Sequence, residues 1–178
     1  MKIESIRLKN FKCFKDTELS NLPPFCVLVG ANGTGKSSIF QIFEFLRHAM
    51  SSNVNAAFAT LGGSRGIREV RSRNYQGPVE IELKFRTKPE GPLTTYFLQI
   101  SEEKGKSFVN REVLKYRRGS SGQPWHFLDF YKGKGTVVTN ELDSVTDVKD
   151  LNREEQILKS PDILAIKGLS QFERFPAV

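Results

Sequence analysis

Residues 30–37 read Gly30-Ala31-Asn32-Gly33-Thr34-Gly35-Lys36-Ser37, a stretch rich in glycine that ends in a lysine and a serine. It fits the phosphate-loop pattern, in which a glycine and four other residues precede Gly-Lys-Ser or Gly-Lys-Thr. The glycines let the backbone wrap closely, so that successive N–H groups point at phosphate oxygens. A helix that follows the loop adds the positive end of its dipole. The pattern therefore predicts a nucleotide site, with Lys36 on the β- and γ-phosphates and the Ser37 hydroxyl on Mg²⁺.

The residues on both sides of the motif have the patterns that a phosphate loop requires. Residues 25–29 are an unbroken apolar run, which predicts a strand buried on both faces, as in a parallel sheet covered by helices. Residues 37–50 have helical periodicity and predict an amphipathic helix. The predicted nucleotide-binding residues are Gly30, Ala31, Asn32, Gly33, Thr34, Gly35, Lys36, Ser37 and Ser38.

Most of the remaining chain has the period of β-structure. From residue 79 apolar and charged residues alternate, which predicts a half-buried strand. Turn clusters rich in Gly, Pro and Lys separate further strand candidates, so we expect an antiparallel meander. The predicted strands outside the motif are residues 2–9, 17–22, 79–86, 94–101, 107–117, 125–131, 136–139 and 163–166. Residues 51–63 have no period and are interpreted as a loop, and residues 150–159 as a short helix.

Composition limits the class of protein. The chain has 178 residues, a formal net charge of +7 and 38% hydrophobic residues, which is typical of one globular domain or one lobe of a larger one. No apolar run approaches the length of a membrane span, and the N-terminus lacks the features of a secretory signal. Cys13 and Cys26 make neither a disulfide framework nor a four-ligand zinc site. We therefore expect a cytoplasmic protein with no membrane partner, whose excess of base allows an acidic ligand.

A second motif precedes the loop and gives the sequence a family resemblance. Residues 6–14 read Ile-Arg-Leu-Lys-Asn-Phe-Lys-Cys-Phe, and residues 27–38 carry the Gly-x-Asn-Gly-x-Gly-Lys-Ser signature. Together they resemble the N-terminal lobe of RecF/SMC-like ATPases, a branch of the ABC ATPases. The closest likeness is to the bacterial AAA family ATPases related to the overcoming-lysogenization-defect type. The specific motifs of this resemblance lie in residues 3–46.

The resemblance implies a fold and a division of the chain. The fold is a mixed α/β (α+β) P-loop NTPase of the ABC-ATPase-head type: a strand–loop–helix core beside an antiparallel β-subdomain. The family also implies a glutamine loop that helps to hold Mg²⁺ and the attacking water, for which Gln171 is the candidate and Gln76 the weaker choice. The expected parts are the nucleotide-binding core at 1–50, a basic loop at 51–78, the meander at 79–140, and a helix, strand and glutamine loop at 141–178.

Basic residues outside the loop are further candidates. In the resembling family the turn around residues 10–14 approaches the nucleotide, so Lys12 is a candidate phosphate or ribose contact. An arginine-bearing loop after the first helix touches DNA or senses nucleotide in such heads. The matching arginines here are Arg65, Arg68, Arg71 and Arg73. A solvated loop is the alternative interpretation, and Glu69 within the cluster weakens the case for DNA.

Several parts of a complete ATPase head have no counterpart in the sequence. No apolar run ends in Asp-Glu after the loop, and residues 125–129 lack the second acid. The chain also has no Leu-Ser-Gly-Gly signature, and His48 and His126 do not match the expected switch histidine. We therefore interpret the chain as the first half of an ATPase head that binds ATP and Mg²⁺. Hydrolysis would require a C-terminal lobe in the same or another chain.

The resemblance further implies what the complete head does. ATP would drive head-to-head dimerisation in DNA repair, DNA maintenance or defence against phage, and nucleic acid is a candidate partner. Two alternatives stay open from the residues: a stand-alone P-loop kinase or transferase, and a nucleotide-binding module without hydrolysis. We expect the 178-residue chain alone to bind nucleotide weakly and to hydrolyse almost none.

Overall fold

The protein is built on one antiparallel sheet. The computed structural model describes residues 1–117, 125–139 and 151–169. The strands in these ranges are β1 Lys2–Phe11, β2 Phe14–Leu19, β3 Val79–Arg86, β4 Leu93–Glu103, β5 Lys106–Arg117, β6 Trp125–Tyr131, β7 Lys134–Val138 and β8 Arg153–Ile157. They pair in the order β2-β1-β3-β4-β5-β6-β7-β8, and all these pairs are antiparallel.

One face of the sheet forms the core. The pairing places Leu8, Ile81 and Leu98 in a row across β1, β3 and β4, and each is almost completely buried. Residues opposite one another on antiparallel strands share a face, so the alternation in β3 buries its apolar side and leaves Glu82 and Lys84 toward solvent. The meander predicted from the period of two is confirmed, and β1 and β2 extend the same sheet.

Helices cover this apolar face. They are α1 Lys36–Ser51, α2 Val54–Gly62, α3 Ile67–Val70 and α4 Ala165–Leu169, with a 3₁₀ turn at Gly63–Arg65. The first helix buries Ile42, Phe45 and Ala49 in the common core, which confirms the predicted amphipathic helix. Phe45 packs on Phe58 of α2 with ring centroids 4.6 Å apart. The second helix contacts α1, α3 and β5, so it links the phosphate-loop helix to the sheet.

A single carboxylate interrupts the apolar row. Glu112 lies opposite Leu98 on β5 and is fully buried. Its Oε2 accepts the Ala165 N–H at 2.5 Å, while its Oε1 accepts the Ile166 N–H and the Tyr96 hydroxyl, each at 3.1 Å. These bonds satisfy two unpaired amides at the start of α4. Burial is the larger effect, and it raises the pKa of Glu112 to about 7 although the hydrogen bonds lower it.

The predicted buried strand at residues 25–29 is wrong for this structure. The segment forms no strand, and Phe25, Val27 and Val29 are 81%, 65% and 90% exposed. A strand buried on both faces needs neighbours on both edges and a covering layer on each side. The sheet in the described part of the chain consists of β1 to β8, and none of these strands pairs with residues 25–29.

Three other local predictions are also wrong. Residues 51–63 are largely helical, because the Asn53 side chain caps α2 by accepting the Ala56 N–H at 2.9 Å and the apolar face of α2 is buried. Residues 153–157 form a strand because pairing with β7 overrides their helical propensity. The strand predicted at 163–166 does not form: α4 begins within this segment at Ala165, and its first two amides bond to Glu112.

The described residues contain no helix that is both long enough and apolar enough to span a membrane.

Replacing Glu112 by glutamine should change how stability depends on pH. A carboxyl whose pKa is raised from 4.5 to about 7 on folding contributes stability below pH 4.5, and this contribution is lost as the pH rises through 7. Relative to Glu112→Gln, the wild-type free energy of unfolding should therefore fall by roughly 3 kcal/mol between pH 4 and pH 8. Urea unfolding at several pH values measures this difference. Parallel pH curves for the two proteins would contradict the assignment.

Candidate functional site

The phosphate-loop motif forms a turn that leads directly into α1. Gly33 and Gly35 have φ values of 84° and 96°, a region that favours glycine because it has no Cβ. The Thr34 hydroxyl donates to the Ala31 carbonyl at 2.9 Å and closes the turn. The Lys36 ammonium donates to the carbonyls of Gly30 and Ala31, at 2.5 and 2.6 Å. The lysine charge therefore lies over the loop.

The first turn of α1 presents unbonded amides beside this charge. The first hydrogen bond of the helix runs from the Ile39 N–H to the Gly35 carbonyl at 3.2 Å. The amides before Ile39 therefore have no partner within the helix. The N-cap Gly35 offers no side chain, and the first turn holds no acidic residue. Together with the Lys36 ammonium, these groups form a site for an anion at the positive end of a 16-residue helix.

The turn between β1 and β2 packs against the phosphate loop at Gly35. A Cβ placed on Gly35 would lie 2.5 Å from the Cys13 Sγ and 2.9 Å from the Phe14 Cζ. Such distances leave no room for a side chain, so Gly35 is required by close approach as well as by its φ value. The backbone of the loop at Gly35 therefore packs against one side chain of the turn, Cys13, and one of β2, Phe14.

A groove rich in basic side chains borders the same turn, and Cys13 is among the residues that line it. It is bounded by the β1–β2 turn, residues 65–76 and the β4–β5 hairpin. We call it the basic groove, and its basic residues are Lys12, Lys15, Arg65, Arg68, Arg71, Arg73 and Lys104. Glu69 and Glu102 are the acidic residues among the described residues that line it. The groove thus brings the four predicted arginines together with lysines from two other elements.

Internal ion pairs hold three of the four arginines. Arg68 and Arg71 both bind Glu102, at 2.7 and 3.1 Å, and the side chain of Glu102 is only 8% exposed. The hydrogen bond to Glu102 raises the pKa of Arg68. Arg65 lies 3.6 Å from Glu69 on the next turn. Arg73 lines the groove outside these pairs. Arg68 and Arg71 therefore help to hold the structure through Glu102, whereas the charge of Arg73 is accessible to a ligand.

The remaining predicted residues have different positions. Ser37 is exposed in the first turn of α1, where its hydroxyl could hold a cation beside a phosphate. The Lys12 ammonium points to the Leu61 carbonyl at 3.5 Å and lines the basic groove. Gln171 lies outside the described residues, and Gln76 lines the basic groove. The described ranges contain no cluster of His, Cys, Asp or Glu that could hold a metal ion by itself.

Sequence reasoning missed several residues around the loop. The motif at 6–14 pointed to this turn, but Lys12 lines the groove, whereas the side chains that lie against the loop at Gly35 are those of Cys13 and Phe14. Asn10 and Ser72, both buried, form hydrogen bonds that hold the turn. Glu102 also escaped notice, because nothing in the alternation of β4 distinguishes it from a solvent-facing acid. Asn10 could have been found from the sequence, because it lies within the motif at residues 6–14. No sequence pattern marks Ser72 or Glu102 as important.

Comparison with known proteins gives a family. The family model described as "AAA ATPase domain" matches residues 1–160. This match covers β1 to β8, the phosphate loop and the first three helices.

The similar curated proteins are much longer than this chain. Structural maintenance of chromosomes protein 5 of Schizosaccharomyces pombe is 32% identical over 62% of the chain, which spans 10% of that protein. The DNA double-strand break repair Rad50 ATPase of Saccharolobus solfataricus is 30% identical over 65% of the chain, or 13% of its own length. The DNA replication and repair protein RecF of Lactobacillus johnsonii is 20% identical over 75% of the chain, or 38% of its own length.

A solved structure is also similar. It comes from work on ATP-driven dimerization and DNA stimulated activation of SMC ATPases. It is 22% identical, covers 67% of this chain and 73% of its own, and has a TM-score of 0.43.

Alanine substitutions at the two loop glycines should separate backbone strain from close approach. Both positions have positive φ, but a Cβ on Gly33 would meet nothing within 4 Å. Gly33→Ala should therefore cost about 1 to 2 kcal/mol of unfolding free energy from backbone strain alone. Gly35→Ala should cost about 1 to 3 kcal/mol more, because the methyl group overlaps Cys13 and Phe14. Denaturant unfolding measures both, and equal losses would refute the contact between the turn and the loop.

Proposed function

Because the chain belongs to the AAA ATPase domain family and is related to RecF, Rad50 and SMC proteins, we propose that its phosphate loop binds ATP with Mg²⁺. The observation that carries the proposal is the position of the Lys36 ammonium over the loop, beside the unbonded amides at the start of α1. A bound phosphate would replace the Gly30 and Ala31 carbonyls as the acceptor of the lysine N–H groups. The phosphate oxygens carry negative charge, so an ion pair would replace hydrogen bonds from the ammonium to neutral carbonyls.

Each residue of the site has a role in this proposal. The residues from Gly30 to Ser38 cradle the phosphates through their backbone N–H groups, and Lys36 neutralises the β- and γ-phosphates. The Ser37 hydroxyl is a Mg²⁺ ligand, and Gln171 stays a predicted second ligand. Magnesium supplies charge neutralisation and geometry for the phosphates when it is bound. Lys12 stays a predicted contact to phosphate or ribose.

A second ATPase lobe would cover the exposed apolar segment before the loop. The side chains of Phe25, Val27 and Val29 are largely exposed, and Phe40 on α1 is 65% exposed. Exposed apolar side chains in one stretch are typical of a surface that another domain or subunit covers. Because the chain spans at most 38% of the length of these relatives, we place the residues needed for hydrolysis in that lobe. The lobe would belong to the same full-length protein or to another chain.

The work that ATP drives is proposed from the relatives. Their printed names refer to chromosome maintenance, DNA replication and DNA repair. We infer that ATP drives the dimerisation of two such heads in DNA repair or maintenance. Defence against phage stays a prediction from the family resemblance.

Nucleotide titration of charge-matched variants tests the site. The wild-type chain should bind Mg-ATP weakly, and Lys36→Ala should weaken this binding about tenfold or more, because it removes the positive charge from the phosphates. Lys106→Ala removes an equal charge from an exposed position at the start of β5 and should leave the affinity unchanged. Calorimetry measures all three.

Two results would contradict the proposal. One is equal binding by the wild type and Lys36→Ala. The other contradicts only the part of the proposal that concerns the second lobe: robust Mg-dependent turnover by the 178-residue chain, lost in Lys36→Ala, would place the residues needed for hydrolysis in this chain itself.

The basic groove favours a second function, which is contact with a nucleic-acid backbone. Seven basic side chains meet two acidic ones among its described lining residues. Lysine and arginine contacts to phosphates are independent of sequence and weaken as salt rises. Glu102 competes with a phosphate for Arg68 and Arg71. The pair between Arg65 and Glu69 is longer and exposed to solvent, and Arg73 lies outside these pairs, so Arg65 and Arg73 are the arginines most available for such contacts.

A double substitution at these two arginines tests the DNA function. Arg65→Ala with Arg73→Ala should lower the affinity for double-stranded DNA and reduce the slope of log K against log salt by about 2. Arg153→Ala with Lys159→Ala removes the same charge from exposed positions in β8 and just after it, and should have little effect. Fluorescence anisotropy at several salt concentrations measures both. An unchanged affinity in the first variant would remove the hypothesis.

A further inference from the structure

The phosphate loop meets the sheet at the turn between β1 and β2. Gly35 lies so close to Cys13 and Phe14 that a Cβ could not fit between them. The apolar segment before the loop is exposed and forms no strand pair among the described residues. The turn between β1 and β2 therefore contacts the loop directly. The segment at residues 25–29, which was expected to form a supporting strand, does not hold the loop in place by strand pairing.

The last residue of α3 and the residues just after it hold the turn through three hydrogen bonds. The Lys12 N–H donates to the Val70 carbonyl at 2.6 Å. The Ser72 N–H donates to the Asn10 Oδ1 at 3.0 Å, and the Ser72 hydroxyl donates to the Phe14 carbonyl at 2.9 Å. The last of these bonds acts on the residue whose ring lies against Gly35.

The polar groups in this arrangement are buried. Asn10 is fully buried and Ser72 is 4% exposed. The Asn10 amide also donates to the carbonyls of Gly77 and Pro78, at 2.5 and 3.3 Å, which fixes the start of β3. Because buried donors and acceptors lose free energy when unpaired, these bonds define one conformation of the turn. Asn10 and Lys12 have positive φ values, 57° and 52°, which the bonds stabilise.

We propose that Ser72 and Asn10 are positioning residues for the phosphate loop, which fix the turn of Cys13 and Phe14 where it contacts Gly35. This inference rests on the proposed binding of nucleotide at that loop. Neither residue touches the phosphates. They raise the affinity by keeping the loop in its binding conformation, since the apparent affinity falls with the fraction of molecules that hold it.

The chain offers a matched pair of serines for the test. Ser72→Ala removes the hydroxyl bond to Phe14 and keeps the backbone bond to Asn10. Ser5 also lies buried, on β1, but its hydroxyl has no hydrogen-bond partner among the residues that the structure describes. Ser5→Ala therefore removes a buried hydroxyl of the same size without touching the turn. Phe14→Leu shortens the side chain that contacts Gly35, and combining it with Ser72→Ala tests whether the two act together.

Two readouts keep the positioning claim separate from the binding claim. In the protein without nucleotide, the backbone amide resonances of Gly35 and Lys36 should shift in Ser72→Ala and stay in place in Ser5→Ala. On titration with Mg-ATP, Ser72→Ala should lose roughly three- to tenfold in affinity, the scale of one net hydrogen bond. The double variant with Phe14→Leu should lose less than the sum of the two single losses, expressed as free energies. Thermal unfolding identifies the temperature at which every variant is folded.

Each outcome decides one of the two claims. Unmoved loop resonances in Ser72→Ala, or an unchanged Mg-ATP affinity in a wild type that binds, would overturn the positioning role. Loop resonances that shift in Ser72→Ala while even the wild type fails to bind would support the link between the turn and the loop. That result would refute the proposed nucleotide function instead. Equal effects of Ser5→Ala and Ser72→Ala would mean a general response to a lost hydroxyl, and this too would overturn the proposal.

Discussion

The close approach of Gly35 to the turn of Cys13 and Phe14 is the constraint on which the candidate site depends. A phosphate loop needs its backbone amides held in one conformation before a ligand arrives, because ordering them on binding would cost affinity. Here α1 anchors one end of the loop through Ile42, Phe45 and Ala49 in the core. The other end emerges from an exposed segment. The contact of Gly35, the N-cap of α1, with Cys13 and Phe14 also joins the helix end of the loop to the turn between β1 and β2.

The apolar side chains of the antiparallel sheet are buried, but those of the segment before the phosphate loop are not. The sheet is complete within its described strands, and its apolar face is covered by α1, α2 and the start of α4. The segment before the loop presents Phe25, Val27 and Val29 to solvent. This difference agrees with a chain that spans only a fraction of the length of its relatives, and it is the reason for proposing a second lobe. The stand-alone kinase alternative predicts a parallel core, and the described sheet is antiparallel throughout.

The sequence predicted those elements whose signal is local. Alternation identified β3, and helical spacing identified α1, because one face of each is buried and the other is not. The same reasoning failed where tertiary contacts decide. Residues 153–157 are a strand because β7 lies beside them, and Ala165 begins a helix because Glu112 accepts its N–H. The apolar run at 25–29 suggested burial, but burial depends on what lies around a segment as well as on its own composition.

The residues of the candidate site also fall into those that the sequence predicts locally and those that only tertiary contacts identify. The motif and its helix could be read directly, since each glycine and the lysine have a local reason. Cys13, Phe14 and Ser72 could not, because their importance comes from contacts between residues distant in sequence. The arginines were found as a cluster, yet their pairing with Glu102 required the hairpin of β4 and β5 to bring that acid beneath them.

Hydrogen–deuterium exchange with and without Mg-ATP tests most directly whether this loop is the nucleotide site. The account predicts that nucleotide slows exchange in peptides covering residues 30–38 and the first turn of α1. A smaller effect should reach the turn between β1 and β2, because it contacts Gly35. Exchange that does not change at the loop, or that slows only along the basic groove at residues 65–76, would contradict the account.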